Sequence, residues 1–256
     1  MLNKGNFFNV NNYIGLSIIL LFPILFILGP ASLELFTILL IILFLTNLWL
    51  KKERIFYDNE LIIIFLILCL YFILISIFAV DKYLSFSRAL FYFRYGLLSL
   101  AVSYFLFKNL KYFNLIRLTY FIIFLFVLLD TLYQFFNYED IFGFKHSASG
   151  RLSGPFGSYD TESAEFIVGG YLLKFYVLLT SLYFSIFKFK NLKKILFFYF
   201  VSILTLFTIL LTTERISTIF MIFYLIIFFF FIFKFLNKIE IKKNFIILFF
   251  LILFLF

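Results

Sequence analysis

The sequence contains little of what metal centres, disulfide frameworks and flexible linkers are made from. It has one cysteine and one histidine, Cys69 and His146. A lone cysteine excludes a disulfide within the chain and a thiolate metal site, and a lone histidine excludes a multi-histidine zinc site. Three prolines and ten glycines in 256 residues leave no proline- or glycine-rich linker. We therefore expect neither a bound metal nor a cofactor.

What the sequence has in excess is apolar side chains. They make up 65% of the residues, and the mean hydropathy is +1.12. Soluble globular domains contain about 45–50% apolar residues. In hydrocarbon every backbone polar group needs an internal partner, so long apolar runs become spanning helices. The composition predicts an all-α, polytopic transmembrane protein that forms a single membrane-embedded domain over residues 1–256.

Apolar runs divide the chain into about nine predicted spans, with the N-terminus in the cytoplasm. They cover residues 13–29, 31–50, 60–80, 88–107, 114–136, 163–187, 195–213, 216–236 and 244–256. Gly29 and Pro30 predict a tight turn between the first two helices. The last run has 13 residues, which is too short for a full crossing. The longest polar segment, residues 137–162, is predicted to be an outer, periplasmic loop.

The distribution of basic residues supports this topology. Cytoplasmic segments in the predicted arrangement hold 15 of the 22 basic residues: Lys4, Lys51, Lys52, Arg54, Lys108, Lys111, Arg117, Lys188, Lys190, Lys193, Lys194, Lys234, Lys238, Lys242 and Lys243. Cytoplasmic loops of membrane proteins carry such an excess. The net charge of +9 is thus mostly a topology signal, and we expect no nucleic-acid partner.

Several ionisable residues map to the outer side of the predicted spans: Arg94, Asp130, Arg151, Glu165, Glu214 and Arg215. Arg94 and Asp130 lie about 9 Å inside their spans at 1.5 Å per residue, and Lys174 about 16 Å inside. Charges within a span are costly and mark candidate functional sites. Paired or snorkelling charges at helix ends explain the same pattern, and we favour that explanation for Lys82 and Arg88. For Asp130 and Lys174 both interpretations stay open.

Three arginines on one side of a membrane suit a phosphate ligand. A guanidinium group binds phosphate oxygens bidentately and stays charged at any relevant pH. Arg94, Arg151 and Arg215 are therefore candidates for binding a lipid-linked diphosphate. Gly154 and Gly157, with Gly150 and Pro155, can form compact turns whose exposed N–H groups bind an anion.

The residues after these turns have a structural interpretation. Asp160 or Thr161 can cap the predicted sixth helix, and we favour capping over catalysis for Asp160 and Glu162. Gly169 and Gly170 predict a close approach of another helix.

Two segments carry a family resemblance. Arg151 to Gly157 reads R-L-S-G-P-F-G and is followed by E-F-I-V-G-G-Y from Glu165 to Tyr171. This resembles the R-x-S-G-x-F-G segment that opens a helix in O-antigen ligase and O-antigen polymerase-like proteins. Thr212 to Ser217, T-T-E-R-I-S, is similar to the T-G-E-R segment of the same family, with Thr213 in place of the glycine. The arginine-bearing stretch from Ser87 to Gly96 is a softer match.

The resemblance implies a metal-independent glycosyltransferase of the bacterial inner membrane. Such enzymes take a glycan from an undecaprenyl diphosphate carrier at the outer face of that membrane. They transfer it to lipid A-core, as a ligase, or to another carrier-linked repeat, as a polymerase. Arg151 and Arg215 would hold the donor diphosphate, with Arg94 as a further candidate. Gly154 and Gly157 would shape the binding loop, and Asp130, Glu165, Glu214 and Lys174 would support it.

The chain departs from the family in its length. Family members have about a dozen spans and a functional histidine in a large, late outer loop, whereas His146 precedes the R-x-S-G segment. The catalytic residue is therefore unassigned, and we expect this chain to be an N-terminal portion that can be inactive alone. A multi-pass transporter lined by Arg94, Asp130 and Lys174, and a non-catalytic membrane partner in the same pathway, remain alternatives.

Overall fold

The computed structural model of the chain describes residues 4–51, 60–146, 150–157, 167–184 and 192–236. Secondary structure in these ranges is helical, without β-strands, apart from an isolated bridge between Glu139 and Lys145. The predicted all-α class is thus confirmed for the described residues. The last apolar run, residues 244–256, and the predicted site residue Glu165 lie outside them.

The described helices, numbered in chain order, are α1 (Lys4–Ile27), α2 (Pro30–Lys51), α3 (Glu60–Ser76), α4 (Lys82–Phe91), α5 (Phe93–Lys108), α6 (Phe113–Asn137), α7 (Val168–Phe184), α8 (Leu192–Leu211) and α9 (Arg215–Leu236). Two short 3₁₀ segments occupy Leu110–Tyr112 and Gly154–Phe156.

Four apolar helical stretches are long enough to cross a membrane. They are Val10–Ile27, Pro30–Leu50, Lys82–Lys108 and Leu110–Asn137. Four shorter apolar stretches, of 10–17 residues each, are Ile63–Ser76, Val168–Tyr183, Phe197–Leu211 and Arg215–Phe230. Their length and composition are those of a membrane protein.

Helix boundaries agree best where an apolar run is long and uninterrupted, and the prediction for α6 is within one residue at each end. The predicted fourth span begins too late. Asp81 caps α4 by accepting a hydrogen bond from the Leu84 amide at 3.0 Å, so the helix starts at Lys82 instead of Arg88. Arg94 consequently lies about 18 Å of helical rise from the first residue of this stretch, compared with about 9 Å from the predicted start at Arg88.

The chain forms two compact units, Met1–Thr119 and Tyr120–Phe256. In the first unit, Gly29 has a φ of +106° and Pro30 begins α2, which confirms the predicted tight turn. Amides then join the two helices. Asn11 donates to the buried Asn47 at 3.2 Å, and Asn47 donates to Asn12 at 3.3 Å. Such interhelical bonds contribute about 1 kcal/mol each between membrane helices.

Aromatic and hydroxyl contacts set the directions of the helices in the second unit. Phe121 of α6 packs on Tyr183 of α7, and Phe124 packs on Tyr176, so these helices are antiparallel. The Tyr176 hydroxyl bonds to Ser202 of α8, and the Tyr183 ring packs on Phe198, so α7 and α8 are antiparallel as well. Glu214, the residue before α9, bonds to the first turn of α7. As a result α6 ends, α7 begins, α8 ends and α9 begins at the same end of this unit, which we call the loop end.

Candidate functional site

Gln134 of α6 holds the R-L-S-G-P-F-G segment at the loop end. Its side chain is fully buried. Oε1 accepts hydrogen bonds from the amides of Ser153 (3.0 Å) and Gly154 (2.9 Å). Nε2 donates to Ser153 Oγ and to the Phe144 carbonyl, both at 3.1 Å. The amide thus uses both acceptor and both donor positions that a glutamine offers.

Gly154 and Gly157 permit close packing of this segment. A Cβ atom on Gly154, whose φ is +52°, would lie 2.7 Å from Thr131 Oγ1 and 3.1 Å from a methyl group of Val168. A Cβ atom on Gly157 would lie 2.6 Å from the Cβ atom of Phe144. A side chain at either position would displace the segment from α6 or from the neighbouring loop.

The N–H groups of this turn are not available to an anion, contrary to the expectation from the sequence. Ser153 and Gly154 donate to Gln134. Phe156 donates to the Ser153 carbonyl and Gly157 to the Gly154 carbonyl, both at 3.2 Å. An anion-binding nest requires free backbone donors. The amides of Ser153, Gly154, Phe156 and Gly157 are therefore not free to bind an anion.

Glu214 of the T-T-E-R segment forms hydrogen bonds with the first turns of two helices, α7 and α9. Its Oε1 accepts from the Gly169 amide at 2.6 Å and its Oε2 from the Gly170 amide at 2.9 Å, both in the first turn of α7. Ser217, in the first turn of α9, donates to Oε2 at 2.8 Å. Carboxylates are favourable at helix N-termini, where amides lack partners. The cap of α7 thus comes from Glu214, and the expected capping residues Asp160 to Ser163 lie outside the described residues.

Gly169 lets the T-T-E-R segment approach α7. A Cβ atom on this glycine would lie 2.8 Å from Thr212 Oγ1 and 2.9 Å from the Glu214 carboxyl carbon. The predicted close packing at the glycine pair is confirmed for Gly169. Thr213, which replaces the family's glycine, has a φ of +59°. This left-handed conformation is unfavourable for a β-branched residue.

Arg151 and Arg215 are both exposed and belong to segments that contact the first turn of α7. Gly154, three residues after Arg151, packs on Val168 of that turn, and Glu214, next to Arg215, caps it. The structure therefore brings the two resemblance segments to one helix N-terminus. Lys174 lies on the exposed side of α7, six residues after the helix starts.

Asp130 is fully buried near the end of α6, and Asp140 in the following loop is 4% exposed. Asp130 Oδ1 accepts from the Ile141 amide at 2.9 Å, and Asp140 Oδ1 accepts from the Phe144 amide at 2.6 Å. Oδ2 of each carboxyl is buried without a hydrogen-bond partner. Burial raises the pKa of the Asp140 carboxyl, although nearby backbone amides oppose that rise.

Arg94 lies in the first unit and is paired with a residue that the sequence interpretation did not consider. Its guanidinium contacts Glu34 at 2.8 Å and the Tyr95 hydroxyl at 3.2 Å. The Phe91 and Tyr95 rings flank it at 5.6 and 5.1 Å. These residues, together with Arg88 and Tyr92, line a pocket of about 470 Å³.

Sequence reasoning passed over three residues with structural contacts: neutral Gln134, loop residue Asp140 and helix-end Glu34. Gln134 carries no charge, so a rule based on costly buried charges does not detect it. The described ranges contain no group of three or more histidine, cysteine, aspartate or glutamate side chains arranged to hold a metal ion.

Comparisons of the chain with protein-family models, with curated proteins and with solved structures found no match. The function of the loop end has to be inferred from its own residues.

Proposed function

We propose that this chain binds the diphosphate of a lipid-linked glycan through Arg151 and Arg215, as part of a glycosyltransferase of the bacterial inner membrane. The glycan donor would be an undecaprenyl diphosphate carrier, and the acceptor lipid A-core or another carrier-linked repeat. The proposal assigns binding residues and leaves the catalytic group unassigned.

The observation that carries the proposal is the meeting of two distant segments at the first turn of α7. Arg151 and Arg215 are 64 positions apart in the sequence. Gln134 and Gly154 fix the first segment there, and Glu214 fixes the second. Hydrogen bonds from Gln134 and Glu214 thus hold two short segments in place, and the exposed charged residues of these segments are arginines.

The chemistry of the two side chains supports a phosphate ligand. A diphosphate offers several oxygens over a few ångströms, and two guanidinium groups can each donate two parallel hydrogen bonds to it. The positive charge of the arginines would stabilise the negative charge that develops on the diphosphate leaving group in the transition state. The backbone amides of Ser153, Gly154, Phe156 and Gly157 already have acceptors, which favours recognition by the arginine side chains.

Arg94 is not required by the proposal. Its contacts with Glu34 and two aromatic rings are those of a paired charge inside an apolar helix. This pairing favours the structural interpretation for Arg94 over direct diphosphate binding.

We also propose nine spans with the N-terminus in the cytoplasm. The support is the distribution of basic residues along the sequence. In that orientation the loop end faces the periplasm, where a carrier-linked glycan is available. The Arg151–Gly157 segment would then lie at the level of the lipid headgroups.

Binding of a polyprenyl diphosphate to the purified chain in detergent tests the proposal directly. Replacing Arg151 or Arg215 by alanine removes charge-assisted hydrogen bonds worth about 1.5–3 kcal/mol, so the affinity should fall roughly 10- to 100-fold. Arg215→Lys should recover only part of it, because lysine cannot bind bidentately.

Lys145→Ala is the matched control. Lys145 is a basic residue of the same loop, 70% exposed and paired with Glu139 at 3.5 Å. If all three alanine variants weaken binding equally, the attraction is a general charge effect. Wild-type affinity in both arginine variants would remove the proposal.

A further inference from the structure

The loop of residues 138–146, which we call the docking loop, contains one buried carboxyl group and is bonded to another on α6. The Ile141 amide donates to Asp130, and the Phe144 amide donates to Asp140 within the loop. Both carboxyls retain one buried oxygen, Oδ2, without a hydrogen-bond partner. Such atoms are rare in folded proteins and call for an explanation.

Full ionisation of both groups does not account for this arrangement. A buried carboxylate is costly unless a hydrogen bond or an opposite charge compensates it, and neighbouring carboxylates repel each other. Asp130 accepts from the amide of Ile141, the residue that follows Asp140, so the two carboxyl groups are neighbours. Other charged or titratable side chains of the same loop are Tyr138, Glu139, Lys145 and His146. Glu139 and Lys145 pair with each other at the surface, and neither Oδ2 atom has a hydrogen-bond partner.

A metal cation fits the site poorly. Calcium takes six to eight oxygen ligands, and magnesium needs an octahedral set. The nearby loop carbonyls are already acceptors: Asp140 O bonds to the Gly143 amide, and Phe144 O bonds to the Asp140 amide and to Gln134. Among the described residues, no group of three or more histidine, cysteine, aspartate or glutamate side chains is arranged to hold a metal ion.

We propose that Asp130 and Asp140 share one proton, with a protonated Asp130 donating its O–H to Oδ2 of the Asp140 carboxylate, and that this bond holds the docking loop on α6. A proton carried by Oδ2 of Asp130 would be donated to Oδ2 of Asp140, so one proton gives both oxygens a hydrogen-bond partner. Asp140 is the group that stays ionised, because the backbone amides of Phe142, Gly143 and Phe144 stabilise its charge. Asp130 accepts from a single amide.

The shared proton makes docking dependent on pH. The proposed bond exists only while the pair holds its proton, whereas the separated carboxyls of the unfolded chain have pKa values near 4. Its contribution to stability is therefore complete at low pH and is lost as pH rises through the titration of the pair. Deprotonation releases the proton to solvent and leaves two neighbouring negative charges, which would separate the docking loop from α6.

Hydrogen–deuterium exchange of the docking loop, corrected for the intrinsic rate, measures this directly. In the wild type, protection of the Ile141 amide should fall between about pH 5 and about pH 9. Asp130→Asn places a neutral N–H donor where the shared proton is, so its loop should stay protected at both pH values. Asp130→Ala should be unprotected at both.

Two further samples make the result decisive. Asp140→Asn places an N–H donor on the other side of the pair, facing Asp130, and its loop should also stay protected at both pH values. This variant replaces Asp130→Asn if the latter cannot be purified. Glu139→Gln removes a carboxylate that pairs with Lys145 at the surface. Its loop should still lose protection as pH rises, at a slightly lower pH, because the Glu139 charge raises the pKa of Asp140. The proposal is overturned if wild-type protection is independent of pH or if both asparagine variants behave like Asp130→Ala. It is also overturned if sodium, magnesium or calcium restores protection at high pH in the wild type alone.

Discussion

Replacement of Glu214 by glutamine should destabilise the second unit strongly, although the two side chains have the same size. Both carboxylate oxygens accept hydrogen bonds at the N-terminus of α7, from Gly169 at 2.6 Å and Gly170 at 2.9 Å. Glutamine replaces one oxygen by an NH₂ group, so an amide donor of α7 would face another donor. The negative charge near the N-termini of α7 and α9 is lost as well.

The magnitude follows from these contacts. A hydrogen bond to a charged group contributes about 1.5–3 kcal/mol, and a carboxylate at a helix N-terminus about 0.3–1 kcal/mol. Loss of one bond, weakening of the other and loss of charge at two helices give about 2–4 kcal/mol. For a chain of this size that lowers the Tm by roughly 5–15 °C.

Thermal unfolding in detergent, followed by tyrosine fluorescence, and deuterium exchange at residues 168–171 would measure the effect. Glu139→Gln is the control, because the exposed Glu139–Lys145 pair at 3.5 Å should contribute less than about 1 kcal/mol. If Glu214→Gln lowers the Tm no more than Glu139→Gln, and α7 keeps its amide protection, the double-capping explanation is wrong.

Two further substitutions test the same end of the unit by thermal unfolding. Thr213→Gly should stabilise the protein by about 1 kcal/mol, because glycine tolerates the φ of +59° at no steric cost. Thr213→Ala should raise the stability by less than Thr213→Gly. If Thr213→Gly lowers the stability, the explanation by backbone strain at Thr213 is wrong. Gln134→Leu should cost about 3 kcal/mol or more, because it leaves the buried amides of Ser153 and Gly154 without acceptors. Gln134→Glu keeps both acceptors but sets an oxygen against the Phe144 carbonyl, so it should also destabilise; an unchanged Tm for Gln134→Leu would refute this explanation.

Hydropathy predicted the ends of a helix correctly where the apolar run and the helix begin and end at the same residues. For α6 they coincide, and the predicted ends are one residue from those observed. For α4 they do not, because the prediction stopped at a charged residue, Arg88. The helix continues past it to Asp81, whose side chain satisfies the Leu84 amide. Charge marks where a chain leaves an apolar medium, whereas capping marks where a helix ends.

The candidate site was only partly predictable for a related reason. A search for costly charges found Asp130, Glu214 and the arginines, because each is ionisable and lies near an apolar run. It could not find Gln134, which carries no charge. It also assigned Glu214 a supporting role without showing what it supports, because the partners Gly169 and Gly170 lie 45 and 44 positions away in the sequence. Contacts over such separations depend on tertiary packing.

The structure also changes which residues of the two segments could bind a ligand. Glu214 is engaged by three donors, and Gly154 and Gly169 are required by close contacts with Thr131 and Thr212. These residues position the segments, so replacing them would disturb any ligand site indirectly through the fold. Arg151 and Arg215 are the exposed charges of the two segments. A selective loss of diphosphate affinity, without loss of stability, is therefore expected from the arginines and not from the glycines or Glu214.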